Sequence, residues 1–101
     1  MTNIKEKYHN FLKLPFPEKL AGEEIFGIDL VSLDTFIAGL IDKYISRKGE
    51  LSKSDFKLLE KFNIELKPII KELEGVELSY FSFLSDLANQ VHLELVEQQN
   101  Y

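Results

Sequence analysis

The chain has 101 residues, of which 45% are hydrophobic and 29% are charged, so we expect one domain over residues 1–101, large enough to bury a hydrophobic core. The sequence contains no cysteine, which excludes disulfides, a thiolate nucleophile and cysteine-ligated zinc. A net charge of −5 disfavours sequence-independent binding to nucleic acid. No apolar run follows the N-terminus that could act as a signal peptide or span a bilayer, so we expect a cytoplasmic protein with no membrane contact.

Apolar residues recur at helical spacing along most of the chain, which predicts an all-α fold. The first helix is predicted over residues 3–13 and must end before Pro15, because proline disfavours the helical conformation of the residue that precedes it. The segment 14–17 predicts an extended corner. Two glycines interrupt residues 18–28, where we expect one or two helical turns and a loop.

The second helix, over residues 30–48, is the clearest element of the sequence. Asp29 or Ser32 can accept hydrogen bonds from its first backbone N–H groups, and Gly49 can supply the left-handed residue that ends it. Gly39 in its interior predicts a close approach of another helix, since glycine there is otherwise unfavourable.

Two further helices complete the prediction. The third begins after Ser52 and continues to Gly75, and its apolar stripe keeps its phase across Pro68, which predicts one kinked helix and not two. The fourth begins near Ser79. Short connections favour antiparallel neighbours, so the predicted fold is an all-α four-helix bundle, or a similar compact helical domain, with a kinked third helix.

Charge is sorted by segment. Residues 14–42 contain six acids and one base, and residues 74–101 contain five acids and no base. The stretch 43–73 between them contains eight bases and five acids. Charge sorted in this way can steer a charged partner towards one part of the surface.

Residues suited to catalysis or metal binding do not form a set. Glu6 and His9 have the Glu-x-x-His spacing of di-iron bundles, but the corresponding position before His92 is Asn89, so the second pair is missing. No serine lies in a Gly-x-Ser-x-Gly elbow. We therefore predict no enzymatic activity, no catalytic residue, no cofactor and no metal site.

A partner-binding surface is the alternative that the charges favour. Tyr80 and Leu84 belong to the core stripe of the fourth helix, so Phe81 and Phe83 flank it, and they either pack beneath the 14–28 loop or form exposed anchors. Leu93 lies on a face of that helix that should be solvated. The residues expected to contact a partner are Glu23, Glu24, Asp29, Asp34, Glu77, Phe81, Phe83, Asp86, Gln90, Leu93 and Glu97.

Three stretches of the sequence carry a family resemblance: GIDLVSLDTFIAGLI at 27–41, GEL at 49–51 and LSYFSFL at 78–84. Together they resemble small helical immunity proteins of bacteria, which are paired with the toxic C-terminal domains of contact-dependent growth inhibition and related polymorphic toxin systems. The resemblance implies a cytoplasmic inhibitor, monomeric when free, that binds one cognate toxin domain, typically a nuclease, and itself contacts no nucleic acid.

A second hypothesis remains open from the same residues. The chain could be a self-associating helical adaptor or structural module without catalytic activity, which buries Phe81, Phe83 and Leu93 against a second copy. A dimer that forms as concentration rises would favour this hypothesis, and a monomer would favour the immunity protein.

Overall fold

The computed structural model describes residues 3–98 and consists of four helices with one short hairpin between the first two. In chain order the elements are α1 (Ile4–Leu12), one 3-10 turn (Glu18–Leu20), β1 (Glu24–Ile25), β2 (Ile28–Asp29), α2 (Leu30–Ser46), α3 (Lys53–Ile70) and α4 (Gly75–Gln98). The predicted all-α bundle is confirmed. The segment 18–28 differs from its prediction, because a two-stranded hairpin follows its single helical turn.

Side-chain caps begin the first three helices. Asn3 Oδ1 accepts from the Glu6 backbone N–H at 3.1 Å, and Asp29 Oδ2 accepts from that of Ser32 at 3.2 Å. Ser52 Oγ accepts from the Asp55 N–H at 3.1 Å. Each cap satisfies a backbone donor that has no partner inside its helix, a contribution of about 1 kcal/mol. The predicted caps at Asp29 and Ser52 are confirmed.

The C-terminus of α2 is a Schellman motif. The Gly49 N–H donates to the Tyr44 carbonyl at 2.8 Å, and the Lys48 N–H donates to the Ile45 carbonyl at 3.1 Å. Both Lys48 (φ 56°) and Gly49 (φ 94°) have positive φ. The left-handed ending predicted for this helix therefore involves two residues, and lysine occupies the position where glycine is usual.

The boundary between α3 and α4 lies earlier than predicted. The third helix continues past Pro68, as expected, but ends at Ile70, where the Glu72 N–H donates to the Ile69 carbonyl at 2.9 Å. The fourth helix begins at Gly75, one turn before the predicted start at Ser79. Its first two residues are Gly75 and the exposed Val76, which do not extend a buried apolar stripe, so hydrophobic periodicity does not reveal this turn.

Two side-chain hydrogen bonds between α2 and α4 show that these helices run parallel. Tyr80 near the start of α4 donates to Asp34 near the start of α2 at 2.9 Å. Tyr44 near the end of α2 donates to Glu94 near the end of α4 at 2.7 Å. These two helices form the central pair of the bundle.

The first and third helices are antiparallel to this central pair. In α1, the Tyr8 hydroxyl donates to the Ala38 carbonyl of α2, and the Phe11 ring contacts Tyr80. In α3, the Phe62 ring stacks on Phe36 of α2 at 5.5 Å. Consecutive helices are therefore antiparallel, as the short connections predicted.

Residues from all four helices form one buried core. The largest fully buried side chains are Leu30, Leu33, Ile37, Ile41, Leu59, Leu66, Ile69, Phe81, Leu84, Leu87 and Val91. Most fall on the predicted apolar stripes. Between residues 3 and 98, none of the helices has both the length and the apolar character that crossing a membrane requires.

Candidate protein-binding site at the hairpin end

The helix directions bring residues 13–36 and 62–80 to one end of the molecule, which we call the hairpin end. These two stretches contain nine acidic residues and four lysines. Their formal charge of −5 equals that of the whole chain, so the rest of the molecule is neutral in sum. The fold therefore brings parts of two acidic sequence segments and of one basic segment together on a single polarised surface.

Ion pairs within the described part of the chain lie elsewhere. Lys43 Nζ is 3.2 Å from Asp55 Oδ2, and His92 Nε2 is 3.0 Å from Glu60 Oε2. No acid of the hairpin end makes such a pair within residues 3–98. Its carboxylates are therefore not held in ion pairs, and their excess over the four lysines contributes to the external field.

The hairpin is closed by a two-residue loop, Phe26 and Gly27. Ile25 pairs with Ile28 across it in the antiparallel register, and the loop residues have φ of 54° and 76°. Positive φ at both central positions is the pattern of a type I′ turn, which matches the twist of the two strands. Ile25 and Ile28 pack against the core, whereas the Phe26 side chain is 65% exposed.

Backbone hydrogen bonds fix this hairpin to the start of α2. The Leu30 N–H donates to the Glu23 carbonyl at 3.1 Å, and the Glu23 N–H donates to the Leu20 carbonyl at 3.1 Å. Asp29 closes the second strand and caps the helix, and it also accepts from the Ser32 hydroxyl at 2.6 Å. The tip is thus held in a defined position relative to the bundle.

Five of the predicted partner-binding acids lie at the hairpin end. Glu23 and Glu24 are exposed, and Asp29, Asp34 and Glu77 are half-buried. Asp29 already accepts two hydrogen bonds as the cap of α2, so its main role is structural. Glu23 and Glu24 are the carboxylates most available to a partner.

Asp34 has a more enclosed environment than the other four acids. Burial raises the pKa of its carboxyl, and the hydrogen bond from Tyr80 opposes that rise. Burial also raises the pKa of Tyr80, and the neighbouring Asp34 raises it further. Since no described cation pairs with Asp34, the Tyr80 hydroxyl is what stabilises the ionised carboxylate.

The structure corrects the prediction for Phe81. Its side chain is fully buried, and its ring lies 6.0 Å from that of Phe16 and 5.3 Å from that of Tyr80. Phe81 therefore packs beneath the 14–28 loop and is not a partner contact. Phe83 is half-buried, with its ring edge-to-face on Phe11 at 5.6 Å.

The remaining predicted residues form a separate stripe along α4. Asp86 and Glu97 are exposed, Gln90 is half-buried, and Leu93 is 58% exposed. At 100° per residue this stripe lies roughly opposite the buried face of α4. It extends away from the hairpin end over about 16 Å. The predicted residues therefore occupy two surfaces and not one.

The two histidines lie on different helices and in different surroundings. Among residues 3–98, no group of three or more histidine and acidic side chains is arranged to hold a metal ion. The His92 ring stacks on Phe56 at 5.1 Å and contacts Glu60, so it lies in the seam between α3 and α4. His9 is exposed on α1.

Two features escaped the sequence analysis. The first is Phe26 at the tip of the hairpin. Gly27, which lies between Ile25 and Ile28, was the local signal that indicated a turn there. The second is a shallow groove of about 340 Å³ between α2 and α3, lined by Phe36, Leu58 and Phe62, with Gly39 in its wall. Nothing lies within 4 Å of a Cβ built on Gly39, so the predicted close helix approach at this glycine is wrong.

Comparisons with known proteins identify no relative of this chain. No family model matches the chain, and no significant similarity to a curated protein or to a solved structure was found.

Proposed function

We propose that the chain is an immunity protein that binds and neutralises a cognate toxin domain through the hairpin end. The observation that carries this proposal is the concentration of the whole formal charge of −5 at one end of the fold, among carboxylates that make no ion pair within residues 3–98. The sequence resemblance to immunity proteins names the class of partner. A nuclease is the kind of toxin that fits best, because an enzyme that attracts polyanions presents a basic surface.

The electrostatic arrangement has a kinetic consequence. A partner with a basic face is drawn towards the hairpin end and oriented before contact, which raises association rates towards about 10⁸ M⁻¹s⁻¹ at low salt. Salt screens this attraction over a Debye length of about 8 Å at physiological ionic strength. Binding should therefore weaken steadily as salt is added.

Self-association is the competing function, and the structure removes one of its contacts. The second copy was expected to cover Phe81, Phe83 and Leu93, and Phe81 is buried within the chain itself. Leu93 remains exposed on the α4 stripe. Sedimentation velocity over a hundredfold range of concentration distinguishes a monomer from a dimer.

The test begins with the adjacent gene, which in such systems encodes a long secreted protein with a variable C-terminal domain. That domain, made catalytically inactive, is the probe for titration calorimetry, and the active domain is the probe for rescue of growth by co-expression. Absence of such a gene contradicts the proposal. So does a lack of binding at a protein concentration of about 1 μM, which is well above the Kd expected of a specific complex.

Three charge-reversal pairs locate the interface. Glu23→Lys with Glu24→Lys alters the hairpin end, and Asp86→Lys with Glu97→Lys alters the α4 stripe. Asp42→Lys with Glu50→Lys is the matched control, since both residues are exposed outside the hairpin end and the change in net charge is identical. We expect about a tenfold or greater loss of affinity for the hairpin pair and a smaller effect for the control. Equal losses for hairpin and control pairs would show that only net charge matters.

A further inference from the structure

We infer that Phe26 is the apolar anchor of the interface, and that it inserts into an apolar cleft surrounded by lysine or arginine on a basic partner protein. This inference rests on the proposed function and deepens it, because it names the residue that holds the complex and the chemistry of the cleft that receives it. The acids around Phe26 would set the speed and orientation of binding, and the ring would set its lifetime.

The first argument is the backbone conformation of Phe26. Among residues 3–98, only two residues other than glycine have positive φ, Phe26 and Lys48. Lys48 belongs to the Schellman motif that ends α2, which explains its conformation. A bulky side chain at φ 54° is strained, and asparagine or glycine would form the same type I′ turn at lower energy. Local folding therefore gives no reason for phenylalanine at this position.

The second argument is exposure. Phe26 is 65% exposed, so most of its ring makes no contribution to the core, while its strand neighbours Ile25 and Ile28 pack inward. The strain is therefore not offset by burial of the ring in the core. Strain of this kind persists at functional sites, where the conformation serves binding.

The third argument identifies the occupant by charge. Glu23 and Glu24 are exposed immediately before Phe26, and neither makes an ion pair within the described residues. A cleft lined by lysine or arginine can pair with these carboxylates and also contact the face of the ring through cation–π interactions. A neutral or acidic apolar surface would leave the carboxylates buried without partners, which is unfavourable.

The fourth argument is preorganisation. The tip is fixed to the bundle through the backbone bonds of Glu23 to Leu20 and of Leu30 to Glu23. A phenylalanine side chain has only two rotatable bonds, so little conformational entropy is lost when its ring is buried by a partner. Anchors that dominate binding energy are aromatic residues of this kind, surrounded by a polar rim.

The experiment compares Phe26→Asn, Phe26→Tyr and Leu58→Asn with the wild-type chain. Asparagine suits the left-handed region, so Phe26→Asn should raise Tm by about 4 °C while it weakens Kd for the inactive toxin domain by about 30-fold. Phe26→Tyr keeps the ring and should stay within about threefold of wild type. Leu58 is 41% exposed on α3, outside the hairpin end, and Leu58→Asn should likewise change Kd by less than about threefold.

Each outcome bears on a different claim. If the wild-type chain does not bind the toxin domain, the proposed function fails and this inference fails with it. A second outcome is that the wild type binds, that charge reversal at Glu23 and Glu24 weakens binding, and that the Kd of Phe26→Asn stays within about threefold of the wild-type Kd. That outcome would contradict the anchor role of Phe26 and leave the proposed function standing. A fall in Tm for Phe26→Asn would show that the ring supports the fold and would overturn the inference. A dimer of the free chain that Phe26→Asn dissociates would identify a second copy as the occupant and would also overturn it.

Discussion

The Tyr80 hydroxyl donates a hydrogen bond of 2.9 Å to Asp34 Oδ1 and links the start of α4 to the start of α2. The two residues are separated by 46 positions in sequence, so only packing of the central helix pair brings them together. The bond stabilises a half-buried carboxylate at the end of the molecule that carries its net charge. Its energetics can be measured directly.

Replacement of Asp34 by asparagine should stabilise the protein most at neutral pH. Burial raises the pKa of Asp34 above its unfolded value despite the bond from Tyr80. A group with a raised folded pKa contributes stability below its unfolded pKa and loses that contribution as pH rises through the folded pKa. Urea unfolding of Asp34→Asn and wild type at pH 3, 5 and 7 should show a difference in free energy that grows in favour of the variant as pH rises. A difference that shrinks with rising pH would contradict the sign of the shift.

Removal of the Tyr80 hydroxyl should be most costly while Asp34 is charged. Tyr80→Phe leaves the half-buried carboxylate without its donor, so we expect a loss of about 1.5–3 kcal/mol in the free energy of unfolding at pH 7 and a further rise in the Asp34 pKa, measured by NMR titration of the carboxyl carbon. In an Asp34→Asn background the same substitution should cost about 0.5–1.5 kcal/mol. Equal losses in both backgrounds would mean that the two residues are not coupled.

Asn63 in the seam between α3 and α4 should be replaceable by leucine with a gain in stability. Its Nδ2 donates to Asn89 Oδ1, but its Oδ1 is buried and has no partner among the described residues. Asn63→Leu removes that unsatisfied acceptor, and Asn89 is exposed enough to hydrogen-bond water, so we expect a gain of about 1–3 kcal/mol by urea denaturation.

The matched variant is Asn89→Ala, which removes the partner and leaves the Asn63 amide buried. It should be destabilising by about 1–3 kcal/mol. Two variants at one hydrogen bond are therefore expected to change stability in opposite directions, and a loss for both would show that the Asn63 amide is satisfied in solution.

Gly39→Ala should stabilise α2. The glycine lies inside the helix, and a Cβ at this position meets nothing within 4 Å. Alanine restricts the unfolded chain and favours the helix, which is worth about 0.5–1 kcal/mol. Gly49→Ala is the control with the opposite expectation, because a φ of 94° strains any residue that has a Cβ. Thermal unfolding measured by circular dichroism should show a higher Tm for the first variant and a lower one for the second.

The sequence predicted the helices because their signals are local. Apolar residues every three to four positions define which face of each helix is buried, and Asp29 and Ser52 are caps whose partners lie three residues away. The prediction was weaker where local signals were short. Strands of two residues show no alternation, so the hairpin at 24–29 could not be distinguished from a loop.

The candidate site was predicted in part. Glu23 and Glu24 were recognised as exposed acids of a partner surface, and both are exposed at the hairpin end. The burial of Phe81 could not be read from α4 alone, since the ring that covers it belongs to Phe16, 65 positions earlier. Phe26 was missed because its conformation depends on the pairing of two strands and not on its own preference.

The amino-acid sequence alone specifies a helical domain with a net charge of −5 and with acids separated from bases along the chain. The position of that charge in space depends on how the helices pack. Because α2 and α4 are parallel and α3 is antiparallel to both, the start of two helices and the end of the third meet at one end, and distant segments form one acidic surface. Periodicity and capping act over a few residues, whereas a surface is made by contacts between residues far apart in the chain.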